Sequence, residues 1–593
     1  MRVNLFRRYS LLAVLCCIIC AAAPYTAEYH VKIAMRDGVR LEANLFRPGT
    51  GSRWPVLLVR TPYNKGVELL AGYRVFIEHG YAILIEDVRG RGGSEGHFSS
   101  LDQEGADGYD TINWIARQRW SDGNVGMVGG SYLGIAQWKT AVLNNPHLKA
   151  IAPAVSGDDD YFDRFYSPGG AYRLGHRLLW FSENLRLPGF APNFDSYVRH
   201  LPLRTADRAA TGQTLRDYQE TMDHPLYDEF WKRMSVRMKL GRMRVPVFSV
   251  GGWYDGFVES DLDAFRELRQ RGVPAEIVIG PWPHNASVPF RGVDYGPNTR
   301  LPIRHLQAEW FDRWLRHVPE TVRSEREGLQ QTPVRIFVMG ANQWRYEREW
   351  PPREMHETPL YFAGRGNANG LSGDGKLQWK PARRKWTDRF SYDPRQPVPT
   401  FGGAVCCNPR VFPWGPVDQR PVERRRDVLV YTSEALKRPI DVIGPVHVIF
   451  YASTSAPDTD FTAKLVDVFP DGRARNLTDG ILRMRYRHGL DKVVLARRGE
   501  TYELTIDAGV TANQFLAGHR IRVEIASSNF PRFDRNPNTG RPIAGETSSE
   551  VARQEVSHGG KFQSRILLPV VSELTSSNAA RYVPKRAFSY RAR

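Results

Sequence analysis

Residues Val125–Gly134 read VGMVGGSYLG, followed by IAQWKTAVL. Val125, Met127 and Val128 predict a short buried strand, and the apolar spacing after Gly134 predicts a helix. A serine placed between the two is held on a tight strand-to-helix turn with its hydroxyl exposed, which is the setting of a nucleophile. Gly129 and Gly130 suit a crowded turn because they carry no Cβ, and Gly134 lets the helix approach the strand. The strict G-x-S-x-G pattern is not met, since Leu133 stands at its last position and the glycine follows one later. A serine in a Gly-rich loop is more often a plain turn residue, so Ser131 needs partners elsewhere in the chain.

The surroundings of that stretch set the fold class. PVLLVRTPY, YAILIEDVRG and LKAIAPAV are nearly continuous apolar runs that end in Gly, Pro or Asp. Between them, VELLAGYRVFIEHG and DGYDTINWIARQRW have apolar residues every three or four. Parallel strands buried on both faces read this way, which predicts an α/β domain with a doubly wound sheet. The rhythm breaks near Asp158 and resumes at VPVFSVGGWYD and AEIVIGPWPH, with HLQAEWFDRWLRH as a closing helix. The α/β domain is therefore expected over residues 28–160 and 245–325, interrupted by a helical insertion over 161–244 that covers the face holding the site. From 332 to 590 short alternating strands such as VHVIFYAST and TAKLVDVFPDG predict an all-β domain, a sandwich of jelly-roll type.

Length and composition agree. A chain of 593 residues exceeds the roughly 250–300 at which single cores stop growing, so several domains are expected. With 41% hydrophobic and 25% charged residues, disorder and a polytopic membrane protein are disfavoured. The formal charge of +18 comes from basic residues scattered among acids, without a basic helix face or recognition motif, so nucleic acid is not an expected partner. Arg2, Arg7 and Arg8 precede the apolar run Leu11–Ala23, too short to span a bilayer and suited to a signal peptide over residues 1–22. The protein is expected to be exported, with no membrane span after cleavage. Only the adjacent Cys406 and Cys407 then remain, as a disulfide or as two thiols. No second Cys/His cluster in the sequence offers further ligands, so no metal site is expected.

A serine nucleophile needs a base, and the base needs an orienting carboxylate. Two later strands end in candidates of the required order: PVFSVGGWYDGF at Asp255 and AEIVIGPWPHNAS at His284. Together with RTPYNKG, DVRGRGGSEG, SAPDTDFTAKLVDVFPDG and ASSNFPRFDRNPNTG, these motifs resemble the cocaine-esterase and X-Pro dipeptidyl-peptidase group of α/β-hydrolases along nearly the whole mature chain. The resemblance implies an α/β-hydrolase domain, a helical cap and a C-terminal jelly roll. It implies Ser131 as nucleophile, Asp255 as orienting acid and His284 as base. It also implies that the Tyr63 hydroxyl and the Tyr132 N–H form the oxyanion hole and that Phe257 lines the substrate pocket. No cofactor is implied. A homodimer is among the assemblies the jelly roll allows.

Substrate class follows from departures. Gly256 and Phe257 stand where relatives acting on α-amino acid esters carry extra carboxylates, which favours neutral carboxylic esters, with amides as a further option. Release of N-terminal X-Pro dipeptides is the alternative, and a catalytically silent carbohydrate-binding protein is the alternative of another class. Asp158, Asp159 and Asp160 read as a solvated acidic loop, Asp458 and Asp460 as turn residues, and Asp87, Arg89 and Ser94 as fixing a turn beneath the site.

Overall fold

The computed structural model describes residues 25–286, 290, 292–318 and 332–571; the expected signal peptide lies outside them, as do residues 572–590. Ten strands form the first sheet: β1 (Tyr25–Ala34), β2 (Arg40–Pro48), β3 (Trp54–Thr61), β4 (Ala82–Asp87), β5 (Ser121–Gly130), β6 (Leu148–Ala154), β7 (Val247–Tyr254), β8 (Ala275–Pro283), β9 (Val334–Val338) and β10 (Gln343–Glu347). Their order is β1-β2-β4-β3-β5-β6-β7-β8-β9-β10. Pairing is parallel from β4 through β9 and antiparallel at both edges.

Helices cover both faces. α1 (Arg74–Glu78) lies on one face, and α2 (Glu104–Ala116) and α3 (Tyr132–Ala141) on the other. Alternation along the strands feeds two cores: Leu84, Val125 and Met127 pack with Ile112, Ile115 and Trp138, whereas Ile83, Ile85 and Val128 pack with Phe76, Trp310 and Phe311. This is the period-2 alternation of a sheet buried on both sides.

Between β6 and β7 the chain leaves the sheet for α4 (Leu174–Asn184), α5 (Phe194–Arg199), α6 (Ala206–Thr211), α7 (Arg216–Asp223) and α8 (Glu229–Met234). Their shared core is dominated by rings, including Tyr161, Phe165, Tyr172, Trp180, Phe181, Tyr218 and Trp231. The cap thus packs largely through aromatic side chains. The chain then returns through α9 (Val258–Gln270) and α10 (Ile303–Leu315).

An eleven-stranded, mostly antiparallel sheet runs from Met355 to Val571, the all-β domain expected. VRIFV (Val334–Val338) pairs parallel with β8 and so completes the first sheet instead of opening the second. Val334, Ile336 and Phe337 are fully buried, and a parallel edge strand cannot be told from a sandwich strand by alternation alone.

The β-domain braces the cap and the catalytic sheet. Gly175 N–H at the start of α4 donates to Pro531 O at 2.7 Å, and Tyr254 hydroxyl donates to Asn476 O at 2.9 Å. Asp458 and Asp460 are buried, and Asp460, read as a turn residue, opens a strand (Asp460–Val468). They accept from Arg485 and Arg483, and Arg483 also reaches Asp534, which in turn accepts from Tyr172 N–H.

Candidate active site

Ser131 caps α3 with φ 57° and ψ −127°, a conformation that L side chains seldom adopt. Such strain persists only where the surroundings over-determine it. Ser131 N–H donates to Ala154 O at 2.8 Å, tying the turn to β6. A Cβ on Gly134 would stand 2.5 Å from Ser156 Cβ, so only glycine lets α3 approach the end of β6 this closely. Gly129, at φ +146°, is equally constrained by Leu133, whereas a Cβ on Gly130 would meet only ordinary contacts.

The three residues expected to act together come together at the carboxyl ends of β5, β7 and β8. His284 Nε2 lies 2.9 Å from Ser131 Oγ, and His284 Nδ1 lies 2.6 Å from Asp255 Oδ2. Asp255 is fully buried, and its other oxygen accepts from Phe257 N–H at 2.9 Å. This double acceptance fixes the carboxylate, which in turn fixes the imidazole tautomer with Nδ1–H toward Asp255 and Nε2 open to the serine.

Tyr63 follows β3 and is 41% exposed. Its loop is held from beneath by charge. Lys65 Nζ donates to Glu42 at 2.6 Å and to Asp87 at 2.8 Å, while Asp87 also accepts from Lys65 N–H and Gly93 N–H. Burial works against the Lys65 charge, but bonds to Asp87 and Glu42 leave its ammonium above the usual range. Burial likewise opposes ionisation of Glu42, yet bonds from Lys32, Lys65 and His30 bring it down to about 2. The expected turn beneath the site, with Asp87, Arg89 and Ser94, is the floor under Tyr63, and Arg89 anchors it to Asp37 and Asp107.

Trp180 of the cap, which sequence reasoning missed, donates from Nε1 to Tyr63 Oη at 3.1 Å. Its ring stacks on Tyr132, with centroids 6.0 Å apart and planes 7° apart. Because Tyr63 Oη accepts from Trp180, the phenolic proton is free to point at a substrate. Tyr132 itself is buried and donates to Glu104 at 2.8 Å. Its backbone N–H sits in the first turn of α3, where amides have no intrahelical acceptor. Phe257 is buried, its ring 5.5 Å from that of His284 and 5.9 Å from that of His176.

Asp158, Asp159 and Asp160 form no solvated loop. Asp158 accepts from Arg237 at 2.8 Å, Asp159 from Tyr227 and Ser235, and Asp160 from Lys139 at 2.6 Å and from Arg164. All three are buried, and Asp160 ties the base of the cap to Lys139 of α3. Lys139 and Arg237, distant in sequence, together with Arg164 and the hydroxyls of Tyr227 and Ser235, offset their burial, so the run reads as exposed when taken alone.

A strained serine at a strand end, hydrogen-bonded through histidine to a buried aspartate on a doubly wound sheet, defines the class of α/β-hydrolase serine hydrolases. Comparison with known proteins gives the family. The model of X-Pro dipeptidyl-peptidase (S15 family) matches residues 37–286, and that of the X-Pro dipeptidyl-peptidase C-terminal non-catalytic domain matches 328–567. Cocaine esterase of Rhodococcus sp. (strain MB1 Bresler) is 40% identical over 581 residues, covering 92% of this chain and 99% of that one. Among solved structures, an aminopeptidase from a marine sediment archaeon, Thaumarchaeota archaeon, superposes with a TM-score of 0.82 at 26% identity, covering 96% of this chain and 99% of that one. An α-amino acid ester hydrolase superposes with a TM-score of 0.79 at 26% identity, covering 93% and 97%. The chain belongs to the cocaine esterase and X-Pro dipeptidyl-peptidase family of hydrolases.

Proposed function

We propose that the protein hydrolyses carboxylic esters through an acyl-enzyme formed on Ser131. The observation that carries this reading is the continuous chain Ser131 Oγ–His284–Asp255, at 2.9 and 2.6 Å. Ser131 attacks the ester carbonyl carbon while His284 Nε2 takes the hydroxyl proton. Charge develops on the carbonyl oxygen, where Tyr63 hydroxyl and Tyr132 N–H donate. The imidazolium, stabilised by Asp255, then protonates the departing alcohol. Water attacks the acyl-enzyme by the reverse route, returning Ser131 and releasing the acid.

Two features favour esters over X-Pro dipeptides. The acidic run Asp158 to Asp160, a candidate for holding a free amino terminus, is consumed by Arg237, Tyr227, Ser235, Lys139 and Arg164. Phe257 and Gly256, rather than carboxylates, follow Asp255. The relative at 40% identity is an esterase by name, which points the same way. Export is proposed from the basic start and the apolar run at Leu11–Ala23. Among the described residues no helix is long and apolar enough to cross a membrane.

The test compares p-nitrophenyl butyrate with alanyl-prolyl-p-nitroanilide, using the wild type and Ser131→Ala. Ester turnover that disappears in the variant, with no anilide cleavage, supports the reading. Anilide cleavage that outpaces ester turnover overturns the substrate class, and ester turnover that survives Ser131→Ala overturns the mechanism.

A further inference from the structure

Cys406 and Cys407 sit on a loop of the β-domain that leans onto the catalytic machinery. Ala404 O lies 3.6 Å from where a Cβ on Gly256 would stand, and Asn408 donates to Glu183 of α4 at 2.8 Å. The two cysteines are joined as a disulfide. In sequence they have no neighbouring ligand. In the fold, α4 brings His176 to them, so that both sulfurs and a ring nitrogen lie within 4.8 Å of one another. The His176 ring touches Phe257, which touches His284, so the group is one ring removed from the catalytic histidine.

We propose that, once reduced, Cys406, Cys407 and His176 bind a single thiophilic divalent cation, zinc or cadmium, in the wall of the acyl pocket. Two thiolates and an imidazole are a donor set with which zinc sites keep one position open. The His176 ring makes no hydrogen bond to the described residues, which leaves a lone pair for a metal. Arg173 and Arg177 flank it on the same helix, with no carboxylate paired to either among the described residues. A divalent ion with two thiolates adds no net charge, so these arginines do not oppose it.

The redox step balances with an external dithiol. The dithiol gives two electrons and two protons and closes to its own disulfide, while the Cys406–Cys407 bond opens to two thiols. Metal binding then releases those two protons. Resting on the esterase reading, the further consequence is slower ester turnover by the metal-loaded enzyme.

The test uses the full chain carrying Cys16→Ser, Cys17→Ser and Cys20→Ser, which leaves this pair as the only cysteines. The protein is reduced with dithiothreitol, desalted under nitrogen and titrated with Cd²⁺, reading thiolate-to-cadmium charge-transfer absorption and equilibrium dialysis. The expected result is one Cd²⁺ per reduced chain and none in the unreduced chain or after alkylation of both thiols with iodoacetamide. His176→Gln should bind about ten-fold more weakly or worse. The proposal is overturned if the reduced chain takes up no cadmium, if the unreduced or alkylated chain takes up as much, or if His176→Gln binds as tightly. Alkylation needs no refolding, and metal uptake is read without substrate, so this outcome is separable from failure of the esterase reading.

Discussion

Replacing Trp180 with Phe tests whether the cap orients the oxyanion donor. The substitution deletes the 3.1 Å Nε1–H···Oη bond to Tyr63 while keeping an aromatic ring on Tyr132. A hydrogen bond between neutral groups is worth about 0.5–1.5 kcal/mol net, which corresponds to a roughly 2- to 12-fold loss in kcat if it is expressed at the transition state. Tyr63→Phe removes the donor itself and should cost about 3–4 kcal/mol, or roughly 10²- to 10³-fold in kcat. The two effects should not add. Once Tyr63 has no hydroxyl, Trp180 has nothing to orient, so the double variant should match Tyr63→Phe, with a coupling energy equal to the cost of Trp180→Phe alone. The assay is steady-state hydrolysis of p-nitrophenyl butyrate by the wild type, both single variants and the double variant, with kcat and KM separated. Additive losses would refute the orienting role of Trp180, and a Tyr63→Phe enzyme with near wild-type kcat would refute Tyr63 as an oxyanion donor.

Asp255→Asn should lower kcat by about 10⁴-fold with little change in KM, because the amide no longer holds the imidazole tautomer that the 2.6 Å contact selects; steady-state kinetics check this. Gly134→Ala should destabilise by about 1–3 kcal/mol in urea unfolding, because its Cβ would stand 2.5 Å from Ser156 Cβ, and should reduce ester turnover by shifting the Ser131 turn. Burial, countered by Arg237 and reinforced by Asp158, pushes the Asp163 carboxyl up to about 8. The folded state therefore holds a proton that the unfolded chain has released above about pH 4, so this group's contribution is full at low pH and is lost as pH rises toward 8. Melting temperature should fall over that window, at most ~1.4 kcal/mol per pH unit from this group, and Asp163→Asn should flatten the slope.

Much of this was legible in the sequence because the α/β domain is written in strand ends. Ser131, Asp255 and His284 each close an apolar run, and apolar runs are what periodicity detects. What was illegible depended on groups supplied from elsewhere. The run Asp158–Asp160 reads as exposed until Lys139, Arg164 and Arg237 are seen beside it. Trp180 lies in an aromatic-rich helix where every ring reads as core, and nothing local marks the one whose N–H reaches Tyr63. Val334–Val338 alternates like the strands that follow it, and only its pairing with β8 assigns it to the first sheet.

The proposed pocket lies at a junction of three regions rather than in any one of them. α4 carries Trp180, which holds Tyr63, and His176, one turn earlier, which touches Phe257. Its first turn is clamped by the β-domain, since Gly175 N–H donates to Pro531 O and a Cβ there would stand 2.8 Å from that oxygen. Its last turn is tied to the loop bearing Cys406 and Cys407 through Glu183 and Asn408. A shift of α4 would move Tyr63, the proposed oxyanion donor, and Phe257, the proposed pocket wall, together while leaving Ser131, His284 and Asp255 in place. The β-domain, which contributes none of Ser131, His284 and Asp255, thereby holds the helix against which the proposed oxyanion donor and pocket wall rest. Changes in its loops at Pro531 or Asn408 should therefore alter substrate preference before they alter the chemistry at Ser131.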